Sequence, residues 1–188
     1  TYGIARERIT VTPIDGSAVG TAGLLLSESE RRLVILFDGG NKRKNAEAAV
    51  HAWTILQNKC PDVVSGLTLM VVGDWTPQNR SALQRQNIPS ISFRNAVSDP
   101  EREELFSRAA AFLYPSLHEG FGMPLLEAAR MSVPIITANH SSIGEVIGTG
   151  AVFVDPYNAL EIAHALREIL EDGELRRDLC DTAQTSAS

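Results

Sequence analysis

Tyr114-Pro115-Ser116-Leu117-His118-Glu119-Gly120-Phe121-Gly122-Met123-Pro124-Leu125-Leu126-Glu127-Ala128-Ala129-Arg130 is the stretch on which the reading of this chain turns. The apolar run just before it, Ala109 to Leu113, reads as a buried strand. The run breaks at Pro115, passes a loop with two glycines and enters a helix, where Pro124 suits a first turn that has no use for its missing N–H. Strand, glycine-containing turn and helix N-terminus together gather free backbone N–H groups and positive dipole around an anion. Two glutamates eight residues apart frame the turn, Glu119 in the loop and Glu127 in the helix. Glu127 sits within the almost wholly apolar Met123–Ala129, so it needs a hydrogen-bonding partner to be tolerated.

The same rhythm extends in both directions. Short apolar runs at Leu33–Phe37, Leu67–Val72, Ile88–Phe93, Val133–Thr137 and Ala151–Val154 read as strands, as does the alternating Ile9–Ile14 closed by Pro13 and Asp15-Gly16. Between them lie helical patterns. Ala49, Trp53 and Leu56 recur at helical spacing behind Asn45, which is expected to cap. Gln78–Gln86 looks helical, and Ser98 with Glu101 three residues on forms a capping box for a helix over Glu101–Arg108. Ala159–Leu170 is amphipathic, and Glu174–Cys180 continues in helical register. Residues 16–30 read as a Gly/Ala/Ser-rich loop or linker, and the chain ends in a Ser/Ala-rich tail. The expectation is an α/β fold, a Rossmann-like doubly wound parallel sheet of about six strands with helices on both faces. Ligands in such sheets bind at the carboxyl ends of the strands, near the point where strand order reverses.

Composition narrows the possible functions. The 188 residues fit one domain, and 44% apolar with 21% charged residues is ordinary for a globular protein. A net charge of −6, without clustered Lys and Arg, gives no nucleic-acid footprint. Cys60 and Cys180 follow no metal or redox spacing and fit a reducing compartment. The longest apolar run near the front is far too short to span a membrane. Thr1 stands where an initiator Met would, so a piece of a longer protein is expected.

Several residues at the expected strand ends could carry chemistry. Lys42, Arg43 and Lys44 follow Gly39 and Gly40 between a strand and a helix, an arrangement suited to clamping a phosphate or diphosphate; which cation points inward stays open. Glu127, near the positive end of its helix, could accept hydrogen bonds from vicinal hydroxyls such as those of a ribose; the plainer alternative is a core carboxylate satisfied by backbone or an internal Arg. Glu119 could be a surface or capping residue, but both glutamates around Gly-Phe-Gly favour a ligand site. Glu145 could cap or face the same pocket, and His118 could touch a ligand. His51 and His164 fit surface or packing roles. No Ser-His-Asp grouping, zinc spacing or phosphate-binding Walker loop is present.

These residues resemble a known family. Glu119-Gly120-Phe121-Gly122-Met123-Pro124-Leu125-Leu126-Glu127-Ala128 resembles the E-x7-E signature of group 1 retaining glycosyltransferases with the GT-B fold. Phe93–Ser98 and Ala111–Ser116 resemble the segments before the signature, and Pro134–Ile136, Ser141–Val146 and Phe153–Pro156 those after it, covering roughly residues 2–180. The resemblance implies the carboxy-terminal, nucleotide-sugar-binding half of such an enzyme over residues 1–188, with the amino-terminal acceptor domain absent. It implies Glu119 on the donor sugar, the backbone of Gly120, Phe121, Gly122 and Met123 on sugar and phosphate, and Glu127 on the ribose. It also implies Lys44, with Arg43, on the diphosphate, and Arg94, Asn95, Ala96 and Val97 against the base; Gly39, Gly40, His118 and Glu145 complete the expected donor site.

Many members have an arginine a few residues before the loop lysine, where this chain has Asp38, Gly39 or Gly40; Arg43 is the guanidinium on offer. Members often have Pro before the last glutamate, where Gly144 stands. The implied enzyme transfers hexose, mannose from GDP-mannose being the specific expectation, to a saccharide or lipid-linked acceptor in polysaccharide or glycolipid synthesis. It needs no metal or other cofactor and works in the cytoplasm, with peripheral contact at the inner face of the membrane. The alternatives are a nucleotide-sugar-binding module without turnover, or another GT-B enzyme such as a phosphorylase or epimerase.

Overall fold

A computed structural model describes residues 27–38, 40–74, 76–77, 80–81, 88–139 and 142–186. Six strands alternate with helices along it: β1 Leu33–Phe37, α1 Ala46–Lys59, β2 Thr68–Val72, β3 Ile91–Arg94, α2 Asp99–Ser107, β4 Ala109–Tyr114, α3 Met123–Arg130, β5 Ile135–Thr137, α4 Ile143–Ile147, β6 Val152–Phe153, α5 Ala159–Glu171 and α6 Gly173–Ser186. They form one sheet in the order β3-β2-β1-β4-β5-β6, and every neighbouring pair is parallel. This is the doubly wound α/β sheet expected from the alternation of short apolar runs with helical patterns.

Strand alternation sends the two faces of the sheet into different cores. Val34 and Leu36 of β1, Leu69 and Val71 of β2, and Ala111 and Leu113 of β4 pack with Ala49, Trp53 and Leu56 of α1 and with Ile162, Leu166 and Ile169 of α5. On the other face, Leu33, Ile35, Phe112 and Tyr114 pack with Phe106 of α2, with Leu125, Leu126 and Ala129 of α3, with Ile143 and Ile147 of α4, and with Ala183 of α6. Phe37, Phe106 and Phe112 meet edge to face there, with centroids 5.3–5.5 Å apart. α1, after β1, covers one face and α3, after β4, covers the other. The crossovers therefore leave adjacent strands β1 and β4 in opposite directions and open a crevice between their carboxyl ends.

Several boundaries differ from the sequence reading. Ile88–Ser90 lies outside β3: Ser90 is left-handed at φ 55°, and the Pro89 carbonyl accepts from Trp53 Nε1 and Gln57 Nε2 instead of joining the ladder. β5 starts at Ile135 because Pro134 has no N–H and Val133 donates its own to Ala128. α4 was not expected, being a five-residue helix without a strong apolar period. The Ser/Ala-rich tail is helical as far as Ser186, held by buried Cys180 and Ala183. The capping box is present: Glu101 accepts from the Ser98 backbone N–H at 2.9 Å and from its hydroxyl at 2.7 Å. Asn45 holds the N-cap position of α1 as expected but makes no side-chain cap. It is left-handed (φ 59°) and its side chain turns elsewhere. The expected Ile9–Ile14 strand and most of the 16–30 linker lie outside the described residues, as does most of the Gln78–Gln86 helix, of which Arg80 and Ser81 are helical.

Candidate functional site at the β1–β4 crevice

The loop after β1 and the loop after β4 are laced together across the crevice. The Leu117 N–H donates to the Arg43 carbonyl at 2.7 Å. Asn45 Nδ2 donates to the Pro115 carbonyl at 3.2 Å and to the Pro156 carbonyl at 2.7 Å, so one amide joins the loops after β1, β4 and β6. That bridge explains the left-handed backbone, which Asn tolerates better than most residues. Ser142 Oγ donates to the Gly120 carbonyl at 2.8 Å and brings in the loop after β5.

At the centre is Lys44. Its ammonium donates to Glu119 Oε1 at 2.8 Å and to the Tyr114 hydroxyl at 2.6 Å, and it lies 4.4 Å from the Tyr114 ring centroid. Tyr114 is fully buried and Glu119 is 8% exposed. Burial pushes the Glu119 carboxyl up, but Lys44, the nearby Ser116 hydroxyl and Tyr114 outweigh it and hold the group below its ordinary range. Burial, and next the Glu119 charge, push the Tyr114 phenol far above its ordinary value, so it stays neutral. Arg43 is exposed on the same loop as Lys44, and its charge opposes the rise at Tyr114.

Glu119 leads directly into the turn before α3. Gly122, at φ 90°, occupies the position before the helix and supplies no side-chain cap, so the first-turn N–H groups of α3 have no side-chain acceptor. A Cβ on Gly122 would meet Leu125 Cδ1 at 3.0 Å, whereas one on Gly120 would meet nothing within 4 Å. Phe121, Met123 and Val97 sit half-buried at the rim of the same core. Further along α3, Glu127 is 8% exposed and pairs with Arg102 of α2, Nε to Oε2, at 2.7 Å. The contact is close but poorly aligned for a hydrogen bond, and Oε2 is fully buried. Burial raises the Glu127 carboxyl above its ordinary range; Arg102 opposes the rise, and Asp99 and Glu103 add to it.

Asp38 closes the crevice from below. It is 9% exposed; Oδ2 accepts from the Gly40 N–H at 2.9 Å, and Oδ1 is buried without a partner. Burial pushes this carboxyl up to about 6, against the Gly40 N–H and the Lys44 charge.

The structure thus joins Lys44 and Glu119 directly and sets Arg43, Gly40, Gly120, Phe121, Gly122 and Met123 around them. Gly39 lies outside the described residues. Arg94 is half-buried at the end of β3 and pairs with Glu101 at 2.7 Å; Asn95 and Ala96 are exposed beyond it. His118 is exposed on the β4 loop, and Glu145 is exposed in the first turn of α4, where its side chain pairs with none of the cluster. Three contributors were not anticipated. Tyr114 read as a residue just past the expected strand with no role, Asp38 as a place where an arginine was missing, and Asn45 as a helix cap. Arg102 answers the demand for an internal partner to Glu127, though its identity had no signal in the sequence.

Among the described residues no group of three or more His, Cys, Asp or Glu side chains is gathered to hold a metal, and no helix is long and apolar enough to cross a membrane. A cavity of about 380 Å³ opens at the opposite, amino-terminal ends of the strands, between Arg31, Arg32, Pro134 and Arg176. Two of its guanidiniums serve the backbone there: Arg31 caps the carbonyls of Ala109 and Ser132, and Arg176 those of Ile169 and Leu170. The crevice between β1 and β4, with its cations and uncapped helix start, is therefore the candidate site.

Comparison with known proteins bears on the family and the fold. Residues 25–186 match the family model described as glycosyl transferases group 1. The chain is 30% identical over 157 residues to the serotype-specific mannosyltransferase WbdA of Escherichia coli, covering 78% of this chain and 18% of that protein. It is 37% identical over 83 residues to O-antigen chain mannosyltransferase B of Escherichia coli, covering 44% of this chain and 22% of that one. The chain thus spans about a fifth of the length of these curated relatives. Among solved structures it shares the fold of WaaG, a glycosyltransferase involved in lipopolysaccharide biosynthesis (TM-score 0.70, 23% identity, 84% of this chain and 43% of that one). It also shares that of Anabaena HepE, solved with UDP and glucose (TM-score 0.72, 20% identity, 86% and 44%).

Proposed function

The chain belongs to the group 1 glycosyl transferases, and we propose that it forms the donor-binding half of a metal-independent, retaining mannosyltransferase that uses GDP-mannose in polysaccharide or glycolipid synthesis. The observation that carries this reading is the Lys44–Glu119 pair, set at the mouth of the β1–β4 crevice beside the uncapped start of α3. A diphosphate entering there meets the Lys44 ammonium, the Arg43 guanidinium and the first-turn N–H groups together. Mannose is supported by the relatives, several of which are named as mannosyltransferases.

In the proposed reaction an acceptor hydroxyl forms the new bond to the anomeric carbon as the bond from that carbon to the diphosphate oxygen breaks. The departing diphosphate takes the electron pair, and the hydroxyl proton leaves with it. The task of this chain is then electrostatic. Lys44, Arg43 and the α3 amides hold the charge that grows on the leaving group, and Glu119 positions the sugar. Glu119 is held ionised by its partners and engaged with Lys44, and no covalent role is assigned to it. The acceptor would bind on a domain outside this chain, so binding without transfer is the expected behaviour of these residues alone.

Calorimetric titration with GDP, UDP, ADP and their sugars tests the reading. GDP and GDP-mannose should bind saturably and without dependence on chelator, and Lys44→Met should weaken both about tenfold or more, the usual worth of a charge-assisted contact. Absence of binding by every nucleotide would refute it.

A further inference from the structure

We propose that Arg102 is a positioning residue that gives the donor site its preference for ribose, by fixing one oxygen of Glu127 and leaving the other to the ligand. The proposal rests on reading the crevice as a nucleotide-sugar site. Glu127 lies on α3 among Leu125, Leu126, Ala128 and Ala129, all buried, and has 10% of its side chain exposed. Its Oε2 is fully buried against Arg102 Nε at 2.7 Å, so Oε1 is the oxygen we assign to the hydroxyl. Arg102 is itself held from behind, because Nη2 donates to Asp99 Oδ1 at 2.8 Å in the first turn of α2. The guanidinium therefore spans two helices and sets both the rotamer and the charge of Glu127.

The charge matters because the surroundings oppose it. Burial raises the Glu127 carboxyl, and Asp99 and Glu103 raise it further; Arg102 is the cation beside it. An ionised Oε1 accepts from a ribose hydroxyl in a charge-assisted bond, roughly twice as strong as a neutral one. Without Arg102 the carboxyl protonates or turns, and the hydroxyl loses that acceptor. Nothing in this chain of effects touches the diphosphate or the base, so the loss falls on ribose recognition alone.

The experiment titrates the 188-residue chain with GDP and UDP and with the 2′,3′-dideoxy form of each. Wild type should favour the ribose form of its nucleotide by about tenfold, the order expected for a bond to a charged acceptor. Arg102→Met should bring that ratio below about threefold while binding the dideoxy nucleotides as wild type does; that unchanged affinity also shows that the variant is folded. Arg102→Lys, which keeps the charge but not the fork, should restore part of the ratio. A wild-type ratio retained in Arg102→Met overturns the proposal, and so does a wild type that binds nucleotide with no ribose preference. If wild type binds neither nucleotide, the nucleotide-sugar reading fails, and this inference fails with it.

Discussion

Replacing Lys44 by Met probes the centre of the site through stability as well as binding. The ammonium is 2.8 Å from Glu119 Oε1 and 2.6 Å from the Tyr114 hydroxyl, and the two charged side chains are 19% and 9% exposed. Breaking a fully buried pair costs about 3–5 kcal/mol, because an uncompensated charge stays behind. This pair is at a crevice mouth, where water reaches Lys44, and about 2 kcal/mol is the expected loss at pH 7. In wild type the folded Glu119 carboxyl is held below its unfolded value, so it contributes stability above about pH 4.3 that is lost as pH falls through the folded pKa. With Lys44 gone, burial dominates and the folded carboxyl rises above the unfolded value. Ionised Glu119 then costs stability at neutral pH, and the cost fades on acidification. The gap between wild type and Lys44→Met should therefore be wide at pH 7 and narrow at pH 4 in urea unfolding followed by circular dichroism. Adding Glu119→Gln should recover about 1–2 kcal/mol at pH 7, the coupling expected of residues in contact. An equal loss at both pH values, or strictly additive single effects, would refute the reasoning.

Glu119→Gln alone should tighten GDP about fivefold, since Lys44 gives up an ion pair worth about 1 kcal/mol before it can meet the diphosphate. The same variant should weaken GDP-mannose, and calorimetry on both ligands tests the opposed directions. Asp38→Asn should stabilise the protein by about 1–2 kcal/mol at pH 8. The buried Asp38 carboxyl, raised to about 6, costs stability when ionised, and the cost disappears below its unfolded value. The advantage of the Asp38→Asn variant should vanish by about pH 4, and an equal gain at both pH values in urea unfolding would contradict it. Gly150→Ala should cost about 3 kcal/mol. A Cβ there would lie 2.3 Å from the backbone N and Cα of Ala183, so α6 would have to move away from the Gly150 turn, and an unchanged urea midpoint would show that it need not.

How far the sequence could be read depended on whether the signal was periodic or particular. β1 and β4 were legible because five or six consecutive apolar residues have no other home than a sheet covered on both faces. α3 was legible because a glycine turn followed by Pro124 and an apolar run admits few conformations. Lys44 and Glu119 were each singled out. Their direct bond was not, since it depends on β1 and β4 being neighbours, a fact of strand order that no local pattern carries. The side-chain role of Asn45 was missed for a related reason. The chemistry that lets Asn cap a helix also lets it sit left-handed and bridge loops, and the bridge to Pro115 and Pro156 is long-range. Burial of Glu127 required a partner, but a guanidinium delivered from α2 depends on how that helix packs.

The carboxyls of the two glutamates of the opening stretch are shifted in opposite directions, and this follows from where the helix begins. Glu119 precedes α3, in a loop that Lys44 and the neighbouring hydroxyls can reach, and they hold its carboxyl low despite burial. Glu127 is one turn inside α3, where the backbone N–H groups belong to the helix and burial raises the carboxyl even against Arg102. A carboxylate held firmly ionised suits a fixed partner to a cation and to a neutral, hydroxyl-rich ligand. One that burial raises and a single guanidinium opposes suits a site where an acceptor for hydroxyls is tuned by its neighbour. The eight-residue spacing thus does more than place two acceptors on a ligand. It sets one on each side of the α3 start, where a single anion between them can be held by backbone dipole and cations together.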